Sequence, residues 1–149
     1  MGYVDENLMP GEKVVCKAKI HWLIFGRGVV LFLVGVLLLI MYGDLLIFLL
    51  GVVFLIDAVI KRSSTELAVT SKRVIVKTGL FSRKTMELNH TKVESFYVKQ
   101  GIFGRIFGFG TVTVNGTGGG SVPVTFIDSP LEFRRKAMET IDASQLRQA

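Results

Sequence analysis

The longest apolar stretch in the chain is residues 22–60, interrupted only by the charges Arg27, Asp44 and Asp57. Gly28 to Gly43 carries no charge at all, and a second apolar run follows from Leu45 to Ile60. A membrane-spanning helix needs about 20 mostly apolar residues. Trp22–Tyr42 meets that length with Arg27 near one end. Leu45–Ile60 is shorter and depends on Lys61 and Arg62 snorkelling at its end. Gly43-Asp44 between the runs is a turn dipeptide. The pattern predicts an N-terminal two-helix transmembrane hairpin over 22–62. A secretory signal fits poorly, because the apolar run starts late and continues into a second one.

Outside that block the period changes. Over 15–22, Cys16, Ala18, Ile20 and Trp22 alternate with Lys17, Lys19 and His21, which predicts a strand joining the sheet beyond the hairpin; a short interfacial linker is the other reading. Glu66–Val69 and Val74–Lys77 flank a polar turn, and Lys84–Leu88 begins a third strand. Lys92–Lys99, Thr111–Asn115 and Val122–Ile127 continue the series, with a glycine-rich hairpin loop over 116–120. Ser129-Pro130-Leu131-Glu132 predicts a capping box, and Leu131, Arg134, Met138 and Ile141 follow at helical spacing. The predicted fold class is an α+β membrane protein, in which a C-terminal helix plugs one end of a bent antiparallel sheet. The domains are an N-terminal segment (1–21), the hairpin (22–62), the β domain (63–142) and a tail (143–149).

Charge sets the expected topology. Lys13, Lys17, Lys19 and Arg27 precede the first apolar run, Lys61, Arg62, Lys72 and Arg73 follow the second, and the turn between has no basic residue. Both termini are therefore expected in the cytoplasm, on a multi-pass protein of the inner membrane. Arg27 and Asp57 fall at similar depth near the interface, and Asp57 lies one helical turn before Lys61. An ion pair among Arg27, Asp57 and Lys61 that stitches the hairpin, or snorkelled interface residues, accounts for them better than a proton relay at mid-membrane.

The chain has a net charge of +6, one cysteine and two histidines. Cys16 alone forms no internal disulfide, and the histidines offer little to a metal site, so no metal or cofactor is expected. No nucleophile–base pair is legible, which points to a noncatalytic protein.

The punctuation of the β region resembles the bacterial pleckstrin-homology-like (PH-like) family of membrane-flanked proteins. The residues that carry it are Glu66-Leu-Ala-Val-Thr70, Lys72-Arg73-Val-Ile75, Lys77-Thr78-Gly79, Glu87-Leu88 and Lys92-Val93-Glu94-Ser95. Gly104-Arg105-Ile-Phe-Gly108-Phe-Gly110-Thr111 and Ser129-Pro130…Phe133-Arg134 complete the set, over about 63–142. Pro10-Gly11-Glu12 and the paired hydrophobic helices fit the same family. The resemblance implies a PH-like bent sheet or barrel capped by a helix and a bacterial or archaeal owner. It implies no particular activity.

Two surfaces carry candidate chemistry. Residues 63–149 hold 12 Lys or Arg against 7 Asp or Glu. Lys61, Arg62, Lys72, Arg73, Arg83 and Lys84, with Arg105 behind them, are candidate contacts to anionic phospholipid. A solvated basic face is the plainer reading. Gly101–Gly110 lacks the lysine and hydroxyl of a phosphate loop. Its Phe103, Ile106 and Phe107 are either core residues around tight turns or a membrane wedge with Arg105 at the phosphates. Stacking platforms for nucleic acid are not evident. The first functional reading is a membrane-anchored PH-like interaction or scaffold module. Its protein partner is unknown, and homo-oligomerisation is one form it can take. The alternatives are an anionic-lipid-binding or membrane-sensing module and, third, an oligomeric pore or transport accessory.

Overall fold

The computed structural model describes residues 2–79 and 84–146. A short helix α1 (Tyr3–Glu6) and strand β1 (Val14–Lys17) precede two long helices, α2 (Gly26–Tyr42) and α3 (Leu46–Ser64). Strands β2 (Glu66–Thr70), β3 (Arg73–Thr78), β4 (Lys84–Asn89) and β5 (Val93–Lys99) follow. Then come α4 (Ile102–Phe107), β6 (Phe109–Gly116), β7 (Ser121–Asp128) and α5 (Pro130–Leu146). The chain divides into two compact units, Trp22–Ser64 and the remainder.

In the α+β unit the strands form two antiparallel sheets, β1-β2-β3-β4 and β5-β6-β7. A bridge between Ile20 and Ile127 joins them at one corner. Strand β1 is shorter than the alternation over 15–22 suggests. It pairs with β2 through Val14–Thr70, Cys16–Val69 and Lys17–Ala68, with a register shift on the way. Leu67, Val69, Val74 and Val76 from the first sheet meet Val112, Val114, Val124 and Ile127 from the second. Phe96, Phe133, Ala137 and Ile141 close the core, so one face of α5 caps it. The alternation along β6 follows from this, with Val112 and Val114 buried and Thr111 and Thr113 turned outward.

Strands β2 and β3 read as continuous apolar runs because both their faces are covered. Ala68 and Ile75 point away from the main core and are sealed by Val4, Tyr3, Leu8 and Val14. The N-terminal segment is therefore part of the fold, and α1 had no sequence signal strong enough to reveal it. Helix α5 starts where the Ser129-Pro130 pair predicts, without the reciprocal capping pair. The Ser129 hydroxyl lies 3.5 Å from Asp128 Oδ1, and Glu132 bonds Lys136 at 2.8 Å.

In the helical unit, Trp22–Phe25 forms a 3-10 turn that runs into α2. Gly43 ends α2 in the left-handed conformation, φ 72°, where a side chain would be strained. Asp44 then accepts a bond from the Leu46 amide at 2.9 Å and so caps α3. The helices pack against one another at Gly35 and Gly51. A Cβ on Gly35 would lie 2.4 Å from Phe48 Cα, and one on Gly51 would lie 2.5 Å from the Phe32 amide nitrogen. Both glycines are consumed in contacts within the chain.

Trp22–Tyr42 is the one helix among the described residues that is long and apolar enough to cross a membrane by length and composition. Helix α3 carries Asp57, Lys61 and Arg62 in its last turns. Val30, Leu33, Leu37 and Ile40 of α2 and Leu46, Leu49, Val53 and Ile56 of α3 are all exposed.

Candidate functional site

Within the α+β unit, Lys72 and Lys84 do not lie together. Lys72 sits in the turn before β3, is exposed and donates to the Pro10 carbonyl at 3.0 Å. Lys84 opens β4 opposite Thr78, at the far end of β3, roughly 20 Å away along a six-residue strand. Arg83 lies outside the described residues. In the helical unit, Lys61 bonds Asp57 of its own helix at 2.7 Å, and Arg62 lies 5.6 Å from the Phe25 ring centroid. Arg27 packs over Phe54 at 5.3 Å. The ion pair of this unit is thus local to α3, while Arg27 joins the helices through an aromatic face, because Phe54 is the partner within its reach.

Arg73 corrects the sequence reading most clearly. It is buried, 7% exposed, and is no surface cation. Its Nε donates to Glu12 Oε1 at 3.1 Å, Nη2 to Glu12 Oε2 at 3.1 Å and to the Asn7 carbonyl at 2.7 Å, and Nη1 to Glu87 at 2.5 Å. Glu12 also accepts from the Met9 amide at 2.7 Å and the Thr70 hydroxyl at 2.6 Å. Burial pushes the Glu12 carboxyl up, and these donors outweigh it, so it stays below the usual carboxylate range. Sequence gave no means of pairing positions 12 and 73, which sit on different elements. Glu66 anchors the same segment by accepting from the Tyr3 and Val4 amides at 2.8 and 3.3 Å.

His90 is buried beside α5, with Nδ1 2.5 Å from Ser144 Oγ. This histidine–serine pair was invisible in the sequence. The Ser144 Oγ also lies 2.7 Å from the Ile141 carbonyl oxygen, and the His90–Ser144 pair ties α5 to the β4–β5 corner. Burial lowers the His90 pKa, against the Thr70 and Arg73 backbone groups that raise it. The neutral folded form therefore contributes stability that is complete above the unfolded value of 6.5 and is lost as pH falls below it. Thermal unfolding between pH 8 and pH 5 should show a falling midpoint in the wild type and a shallower fall in His90→Gln. Equal slopes would remove His90 from the account.

The candidate wedge is where the largest surprise lies. Phe103, Ile106 and Phe107 are not core residues: they are 72%, 69% and 48% exposed, and Ile102 is 79% exposed. Helix α4 itself is held firmly. Gly104 is buried with room for no Cβ, which would lie 2.5 Å from the Phe109 carbonyl oxygen. The Gln100 amide donates to that oxygen at 3.1 Å, and Gly108 ends the helix at φ 77°. Arg105 is exposed on the same helix. Beside it opens a groove of about 630 Å³ lined by Tyr97, Val98, Lys99, Gln100, Arg105 and Leu131. A second groove, about 500 Å³, runs between β1 and α5 past Val15, Cys16, Ser71 and Lys136, where burial pushes the Cys16 thiol up.

Among the described residues, no group of three or more His, Cys, Asp and Glu could hold a metal ion. No curated protein and no solved structure matches the chain. The bacterial PH domain family matches residues 24–144, which takes in both long helices, all the strands after them and nearly all of α5. The chain belongs to the bacterial PH domain family.

Proposed function

We propose that the protein is a noncatalytic, membrane-anchored interaction module, with α2 and α3 in the bilayer and the α+β unit presented at the cytoplasmic face. The observation that carries this is the exposed surface of the helical unit. Side chains such as Leu33, Leu37, Ile40, Leu49 and Val53 face outward on both helices. Water disfavours such a surface by roughly 25 cal/mol per Å², whereas lipid is its matching solvent. The charges of α3 fall in its last two turns, where long side chains snorkel to the interface. The scarcity of basic residues at Gly43-Asp44, against Lys and Arg on both flanks, favours cytoplasmic termini.

Membranes of cells expressing the full chain provide the test. Resistance to alkaline carbonate extraction is expected, together with extraction by detergent. Recovery in the carbonate supernatant would defeat the anchor.

A second reading, binding to anionic phospholipid, is favoured by the exposed α4 with its cation. For this reading Arg73 has to be left intact, since its loss would damage the fold. Native mass spectrometry of the full chain, with Lys84→Gln and Arg105→Gln as variants, separates the two readings. Retained anionic phospholipid lost in the variants supports lipid binding. A discrete oligomer that ignores both substitutions supports the scaffold.

A further inference from the structure

We propose that α4 is a leaflet wedge, in which Ile102, Phe103, Ile106 and Phe107 enter the acyl region while Arg105 and Lys99 meet lipid phosphates. This deepens the membrane reading above and rests on it. A single exposed hydrophobe means little, but a contiguous patch on a soluble surface marks an interaction site. Here four large apolar residues of a six-residue helix are exposed. They fall in two pairs one helical turn apart, 102 with 106 and 103 with 107, so one side of the helix is apolar.

The patch is fixed rather than loose. Gln100, the buried Gly104 and the left-handed Gly108 hold the backbone under it. A rigid presentation lowers the ordering cost of insertion.

Charge selects the occupant. Between Glu94 and Asp128 the sequence has no acidic residue, and its only charges are Lys99 and Arg105. Both line the groove beside α4 together with the exposed Tyr97 and Leu131. Cations next to an apolar wedge match an anionic leaflet, whose headgroups attract basic residues held near the surface.

Position agrees. Phe109, two residues beyond α4, stacks on Phe126 at 5.4 Å and lies 5.5 Å from the His21 ring. His21 donates its amide to the Phe126 carbonyl at 2.6 Å, and the next residue begins the apolar helix. Helix α4 therefore sits at the end of the α+β unit from which the chain departs toward Trp22. The loop around Thr117 is at the opposite end of β6.

Site-directed spin labels test this in the full chain, reconstituted in phosphatidylcholine vesicles with or without phosphatidylglycerol. The background is Cys16→Ser, and the labelled positions are Phe103→Cys and Thr117→Cys. In vesicles with phosphatidylglycerol, label 103 is expected to collide more with dissolved oxygen than with a water-soluble nickel chelate. Label 117 should show the reverse. Lys99→Glu with Arg105→Glu should return label 103 to the behaviour of 117. A label at 103 as open to the chelate as 117 would overturn the wedge, even in carbonate-resistant protein. Spin–spin broadening between copies at 103 would overturn it too, in favour of a dimer contact. A lipid-buried 103 in protein that carbonate extracts would uphold the wedge while removing the spanning anchor.

Discussion

Arg73→Ala should destabilise the α+β unit by about 3–5 kcal/mol, the usual cost of breaking a buried ion pair from one side. The side chain is 8% exposed and that of Glu12 is fully buried. Removing the guanidinium leaves the Glu12 carboxylate without its counter-charge and strands the Asn7 carbonyl. The damage is not confined to one pair, because Glu12 and Asn7 belong to the segment that seals Ala68 and Ile75. Arg73→Lys keeps the charge and loses the two-pronged geometry, so it should fall between wild type and alanine. Thermal unfolding of the protein in micelles reads the effect, and high salt should change it little. A loss below about 1 kcal/mol would be that of a surface pair and would contradict the burial. The same network makes the fold acid-sensitive. Glu12 is held below its unfolded value of 4.5, so its contribution is complete above that pH and is lost as pH falls below it and through the lower folded value.

Gly35→Leu is expected to part α2 from α3. Even a methyl group at Gly35 would lie 2.4 Å from Phe48 Cα, and backbone atoms cannot swing aside as a side-chain tip can. The contact has to open by about 1 Å to reach the 3.4 Å of ordinary packing. Overpacking costs about 1–3 kcal/mol for small insertions, and leucine demands more than alanine. Gly51→Leu should behave alike, since its Cβ would meet the Phe32 backbone at 2.5 Å. Gly26→Ala is the internal control: its nearest neighbour is the Leu23 side chain at 3.6 Å, and alanine favours a helix. Distances between spin labels at Leu33→Cys and Leu49→Cys, in Cys16→Ser protein, measure the separation. An unchanged distance in Gly35→Leu would show that the close approach is not required.

Much of the architecture was legible because it rests on local rules. The strand–turn–strand rhythm after residue 65 marked β2 through β7, and the change to a 3.6-residue period at Ser129 marked α5. Gly43-Asp44 announced a turn, and the structure shows why: glycine takes the left-handed cap of α2, and aspartate caps α3. The set of motifs from Glu66 to Arg134 identified the family. What stayed hidden depends on pairing across long separations. Arg73 reads as one more cation in a basic turn until Glu12 is folded onto it from sixty-one positions away. The segment 2–9 lacks periodicity, and only the two-sided burial of Ala68 and Ile75 gives it a role. In Gly101–Gly110 the residue types suit a core or a surface equally well. Gly104 decides the matter by lying against the Phe109 carbonyl, which turns the phenylalanines beside it outward.

The central claim, a module fixed in the membrane with its α+β unit inside the cell, is tested most directly by cysteine accessibility in intact cells. Tyr42→Cys and Gln145→Cys, each in Cys16→Ser protein, place probes on the last residue of α2, beside the turn between the long helices, and on α5. A membrane-impermeant maleimide should label position 42 from outside and reach position 145 only after permeabilisation. Labelling of 145 in intact cells, or protection of 42 until the cells are opened, would contradict the account.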